Sequence, residues 1–305
     1  MTYVIPAVTL LERNLFLTVY IYLGWITTGS MSIARDSHTA VLLFDGTLLI
    51  ISGSSSGFAS LTESYNPGTG TWTSKAPISI PRWLHTGSLL LDATVLITGG
   101  RGSSDYLNIV EVYNPWANTW TPRANMNMAR SSHAASTLSN GQILIIGGVG
   151  NSGNLDSVEL YDPAANTWSI KASLPSARFE HVAVTLSDGT ILVVGGQDSS
   201  NFLNDVNLYD PSTNTWSTKQ SMNVRRTRHA VSILPSKNIL VSGGRNSGGY
   251  IKSAEIYDPT ANTRTLIPSM NSIRGGHSAT TLLNGRVLVA GGFTGSVSLN
   301  TAELY

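Results

Sequence analysis

The chain has 305 residues, 12% of them charged, with a formal net charge of +1 and no cysteine. So few charges, about half the ~25% usual in soluble domains, beside 29 glycines suit many turns and strands better than helices. The near-neutral balance gives no basic field to hold nucleic-acid phosphates or an anionic membrane. Without cysteine there are no disulfides, thiolate nucleophiles, Cys-ligated zinc or iron–sulfur clusters, and the compartment stays open.

Residues 1–22 form an apolar extension that shares no pattern with the rest of the chain. The apolar run at 15–24 is ten residues long, short of the roughly 20 that cross a bilayer. Glu12 and Arg13 interrupt the segment, unlike a secretory leader. The expectation is an extension with no clear transmembrane segment, then one repeat domain over residues 23–305.

From Trp25 onward one unit recurs. Six Arg-x-x-His pairs (35/38, 82/85, 130/133, 178/181, 226/229 and 274/277) hold all six histidines, spaced by 47 once and 48 thereafter. An apolar run ending in small residues comes after each pair: LLIISG, VLITGG, ILIIGG, ILVVGG, ILVSGG and VLVAGG. Tyr65, Tyr113, Tyr161, Tyr209, Tyr257 and Tyr305 recur every 48 residues; Trp72, Trp120, Trp168 and Trp216 lie seven further on, with Arg264 in the fifth such place.

Each copy reads as four short strands. The first starts at the histidine. The second is the Val/Ile/Leu run, apolar at consecutive positions and so expected to be buried on both faces. Asp45-Gly46, Asn140-Gly141, Asp188-Gly189 and Asn284-Gly285 between them are two-residue hairpin signals. The third strand, as in VELY, alternates, and an Asx-Pro turn leads into the fourth, around the Trp.

Four antiparallel strands per copy of about 48 residues are the signature of a propeller blade. Double glycine, Tyr and Trp at these offsets resemble the kelch repeat across residues 25–305. The predicted fold is therefore all-β, a six-bladed kelch-type propeller. The sixth copy stops at Tyr305, after its third strand, and Trp25 precedes Arg35 by ten residues, as Trp72 precedes Arg82. The segment GWITTGSM is thus expected to supply the missing strand and cover the open edges.

A residue found in every copy serves what every blade needs. In the third copy Arg130, His133, Gly147, Gly148, Tyr161 and Trp168 are accordingly read as scaffold, with the Arg pairing a third-strand Glu such as Glu159. Asn207 replaces that Glu in the fourth copy, and Arg264 is expected to weaken one packing contact. The glycines read as sites of close backbone approach.

Function is sought where the copies differ. Kelch resemblance implies that the loops between strands two and three, here 54–60, 101–106, 149–155, 197–203, 245–251 and 293–299, share a partner-binding face with the loops joining the blades. These hold the non-repeating Arg101, Tyr106, Gln197, Phe202, Arg245, Tyr250 and Phe293. The middle positions of Arg-x-x-His add Trp83, Phe179, Glu180 and Arg228. Aromatic and Arg side chains are the types enriched in binding hot spots. The expectation is a non-catalytic binding module for a protein or peptide partner, needing no cofactor or metal and working as a single propeller.

A carbohydrate-binding or carbohydrate-active propeller is the alternative. Units such as YDPSTNTW resemble the propeller domain of galactose oxidase. That resemblance implies a copper radical centre with a Tyr–Cys cross-link, which a chain without cysteine cannot form. A kelch-type sugar isomerase of the sialic-acid mutarotase kind would need only polar groups near the axis. Glu180, the one carboxylate at its position, with Arg228 and Arg245 could serve as acid–base group and anion anchors. A deep axial pocket joining all three would favour that reading, and a broad aromatic rim would favour binding.

Overall fold

The computed structural model describes residues 26–54 and 60–305 and contains strands and no helices among them. Six four-stranded antiparallel sheets stand around one axis. Blade three is typical: Ala134–Thr137, Ile143–Ile146, Val158–Asp162 and Thr167–Lys171 pair in sequence order. First strands of successive blades touch in a closed circuit and line an axial channel of about 320 Å³. Second strands are buried throughout, whereas fourth strands form the outer wall.

The ring closes as the sequence predicts. Blade six uses Ser278–Thr281, Val287–Ala290 and Ala302–Leu304, and its outer strand is Ile26–Thr27 from the other end of the chain. Ile26 pairs with Leu304 and Thr27 with Glu303. Beyond that strand Thr28 Oγ1 bonds the Tyr65 hydroxyl (2.7 Å), and the Trp72 indole N–H donates to the Gly29 carbonyl (2.9 Å). The same indole bond, Trp168 to the Ala124 carbonyl at 2.9 Å, joins blades two and three. Residues 28–29 thus do for blade six what the end of an outer strand does elsewhere. Trp25 and residues 1–22 lie outside the described residues.

The apolar core is six layers, each shared by two neighbouring blades. Leu144, Ile146 and Val158 of blade three, for example, pack against Ile191, Val193 and Tyr209 of blade four. A blade alone could not bury its second strand, so stability requires the full circle.

Two details differ from the sequence reading. The third strand is buried on both faces rather than alternating with solvent, because its Glu is taken up by the buried Arg: Glu159 is 0% exposed. The inner hairpins are not two-residue loops. Leu43 N–H bonds the Thr47 carbonyl (2.9 Å), Gly46 N–H bonds the Leu43 carbonyl (3.0 Å), and of the Asp-Gly pair only Gly46 takes positive φ (81°). Asp45 instead caps the turn by accepting from Thr47 N–H (2.9 Å).

Candidate functional site: the upper rim of the propeller

The rim carrying the Arg-x-x-His units and double glycines is called upper. Its foundation is the repeated set. Each Arg is almost fully buried and reaches the third strand of its own blade, as Arg130 Nη2 reaches Glu159 Oε1 at 2.7 Å. Arg130 Nη1 also donates to the carbonyls of Gly147 (2.8 Å) and Ser157 (3.0 Å), tying the exit of strand two to the start of strand three. Burial lowers the Arg130 pKa and Glu159 opposes it.

Glycine is favoured at the exit by proximity. A Cβ on Gly147 would lie 2.8 Å from the Arg178 carbonyl and 2.9 Å from His181 Cε1 of the next blade. Blade one has Ser52 in that place, at φ 56°, and its hydroxyl turns the close approach into a 2.7 Å bond to the Arg82 carbonyl. The histidines are buried between blades. Burial, first, and the neighbouring Arg hold His38, His85 and His181 near a pKa of about 3.

Two blades depart from the pattern. Arg264 stands in for the Trp of its seam: its guanidinium lies 4.4 Å from the Tyr257 ring centroid and donates to the Gln220 carbonyl at 3.3–3.4 Å, the place of the indole bond elsewhere. Arg178 of blade four meets no buried carboxylate: it donates to Asn207 Oδ1 (3.1 Å), the Ser176 hydroxyl (3.0 Å) and the Gly195 carbonyl (3.4 Å), and its one acidic partner is the half-exposed Asp205 (3.4 Å). A buried cation without a buried counter-ion is costly, so Asn207→Glu should stabilise the protein by about 1–3 kcal/mol in urea denaturation. A loss of stability would contradict the assignment.

The two variable sets meet blade by blade. The first variable residue of each Arg-x-x-His unit bridges the residue that comes after the double glycine: Trp83 to Arg101, Phe179 to Gln197, Thr227 to Arg245, Gly275 to Phe293. The second variable residues, Ser37, Leu84, Ser132, Glu180, Arg228 and Gly276, all take left-handed φ of 53–64°. Each donates its N–H to the carbonyl of the one before (2.7–3.2 Å), and Ser37 donates to Gly276, closing a belt of six bonds around the channel mouth.

On this belt the copies differ most at blades four to six. Arg228 Nε lies 2.9 Å from Glu180 Oε1, and its Nη1 donates to the Tyr250 hydroxyl (3.0 Å). Burial pulls the Arg228 pKa down, but Glu180, Tyr250 and Asp36 together push it up. Glu180 also accepts from the Thr227 hydroxyl (3.0 Å), and Asp36 accepts from Ser37 (2.7 Å) and Ser298 (3.0 Å). The charges of this cluster are satisfied internally. Tyr250 is seated where only glycine fits, since a Cβ on Gly275 would come within 2.9 Å of its ring, and it meets Phe293 edge-on at 5.4 Å.

Arg245 does not join Glu180 and Arg228. Its guanidinium lies between two rings, 5.8 Å from Phe202 and 6.0 Å from Tyr250. Phe202 itself bridges Gln197. The rim therefore has an arc of Phe202, Arg245, Tyr250 and Phe293 over blades four to six, while Trp83, Arg101 and Tyr106 form a separate group on blade two, with Arg101 5.1 Å from the Tyr106 ring. Among the described residues no group of three or more His, Asp and Glu is placed to hold a metal.

Sequence reasoning passed over Arg225, which stands just before the repeated Arg226 where the other copies have Ala, Pro or Ile; it is exposed and donates to the Phe202 carbonyl (3.2 Å). It also passed over the lower rim, where the hairpin tips Leu283, Phe44 and Leu91 are exposed on consecutive blades.

Comparison with known proteins agrees with this architecture. The Kelch motif matches residues 83–127 and 130–175, and the KLHDC2/KLHL20/DRC7 Kelch-repeats domain matches residues 169–305. A solved structure titled "Structure of YjhT" superposes with a TM-score of 0.77 over 91% of this chain and 96% of that one, at 16% identity. A likeness so low in sequence speaks for the fold alone. Among curated proteins none is significantly similar in sequence.

Proposed function

We propose, for a chain that belongs to the kelch-repeat family, that the propeller is a non-catalytic binding module whose upper rim engages a protein or peptide. One observation carries this reading: the arc of Phe202, Arg245, Tyr250 and Phe293 on three consecutive blades. No other blade needs these side chains to close the ring. Ring faces and a guanidinium offer large, stiff contact area with directional donors, the composition of interaction hot spots.

The carbohydrate-active alternative finds less support. Glu180 is ion-paired with Arg228 and hydrogen-bonded by Thr227, so its lone pairs are engaged rather than offered as a base. Arg245, the intended second anchor, faces away into the aromatic arc.

The test is capture by the full chain against a Trp83→Ala/Tyr250→Ala variant. Both positions are non-repeating, so the variant should keep a cooperative melt and lose its partner at least about tenfold. Undiminished capture would overturn the assignment of this rim.

A further inference from the structure

We propose that the arc takes an acidic, extended peptide, with an Asp or Glu against Arg245 and Arg225 and an apolar residue two positions away in a cleft beside Phe202. The inference rests on the reading of this rim as a binding face and names the chemistry of the partner.

Most buried arginines are already used. Arg35, Arg82, Arg130, Arg178, Arg226, Arg228 and Arg274 all meet a carboxylate of the chain. Arg245 and Arg225 are exposed, and among the described residues neither has a carboxylate within 4.0 Å. The Arg245 guanidinium lies within cation–π range of both the Phe202 and Tyr250 rings, contacts that leave its N–H donors unused. Arg225 is held by one bond to the Phe202 carbonyl and keeps its other donors free for a ligand. Both guanidiniums thus attach to Phe202, one at its ring and one at its carbonyl, which meets part of the ordering cost of these long side chains before a carboxylate binds.

Beyond Phe202, between blades three and four, lies a cleft of about 350 Å³ lined by Phe179, Phe202, Asn154 and Gln197 with the 198–201 turn. The acid in that turn, Asp198, is engaged by the N–H groups of Ser200 and Asn201, both at 2.7 Å. In an extended peptide, alternate side chains point the same way about 6.6 Å apart. Phe202 belongs both to the cleft lining and to the Arg245 contact, so alternate side chains of one extended segment can reach the cleft and the cation. A net charge of +1 argues for a short acidic motif rather than a polyanion.

A phage library of random peptides about 12 residues long, panned on the full chain, provides the probe. Enriched sequences should carry Asp or Glu two positions from an apolar residue. The synthetic consensus should bind Arg245→Gln and Arg225→Gln at least about tenfold more weakly and lose affinity as salt is raised. The lower-rim control Leu91→Ser should bind it as wild type does, and equal melting curves confirm that each variant is folded. A neutral or basic consensus that Phe202→Ala nevertheless abolishes would overturn the acidic partner and leave the binding face standing. No enrichment, or a consensus indifferent to every upper-rim substitution, would overturn both.

Discussion

Acidification from pH 7 to about 5 is expected to unfold the protein before its carboxylates begin to protonate. All six histidines are buried between blades, and each is held neutral, by burial first and by the adjacent Arg second. His38, His85 and His181 sit near a pKa of about 3, and His133, His229 and His277 lie well below the ordinary 6.5. Below 6.5 the unfolded chain takes up protons that the folded chain refuses. Stability is therefore complete above pH 6.5 and falls as pH drops toward 3. Each such group removes about 1.4 kcal/mol per pH unit once its unfolded form is protonated, so six remove roughly 8 kcal/mol per unit. Folded domains hold only about 5–15 kcal/mol, which places the midpoint near pH 5–6. The lowered Asp162, Asp188, Asp198 and Asp210 add their own loss only at lower pH. Tryptophan fluorescence across pH 8 to 4 at fixed temperature reads the transition; a protein still folded at pH 4 would refute the neutral inter-blade histidines.

The second large effect concerns the seam. Two chains are compared, one beginning at Ile26 and one at Met31. The shorter loses the Ile26–Leu304 and Thr27–Glu303 pairs, the Thr28–Tyr65 bond and the indole bond of Trp72 to Gly29. It also uncovers the edge of Ala302–Leu304, a template for intermolecular pairing. Several hydrogen bonds at about 1 kcal/mol each, with the lost edge cover, should lower Tm by roughly 10 °C or remove the protein from solution. Equal melting of the two chains would show that closure does not depend on the outer strand of blade six.

Most of the fold is legible because the sequence states it six times. The tyrosines at a constant spacing fix the blade length, and the missing fourth strand after Tyr305 points to the other end of the chain. The third strand alternates in residue type but not in exposure, since Glu159 is interior. Only the buried Arg130, 29 residues earlier, makes it so. Asp-Gly at the hairpins is ambiguous for a physical reason: glycine at positive φ suits both a two-residue turn and the longer one found here.

The site is legible in composition but not in arrangement. Phe179 and Gln197 stand 18 residues apart and meet because they continue the antiparallel register in which Val182 faces Val194, past Glu180 in its left-handed backbone. Nothing about Ser37, Leu84, Glu180 or Arg228 as residue types announces that conformation, which the belt of inter-blade hydrogen bonds imposes on them. Glu180 and Arg228 do depart from the repeat, but their proximity makes them an ion pair. Arg245 gains importance by being left without one.

On the proposed reading, repeated residues hold the ring and variable upper-rim residues bind. Hydrogen exchange of the full chain with and without its captured partner tests that division most directly. Protection should appear in residues 179–180, 197–203, 225–228 and 245–251 and leave the lower hairpins unchanged. Protection confined to the lower hairpins at 43–47, 90–94 and 282–286 would place the binding surface on the opposite rim and contradict the division.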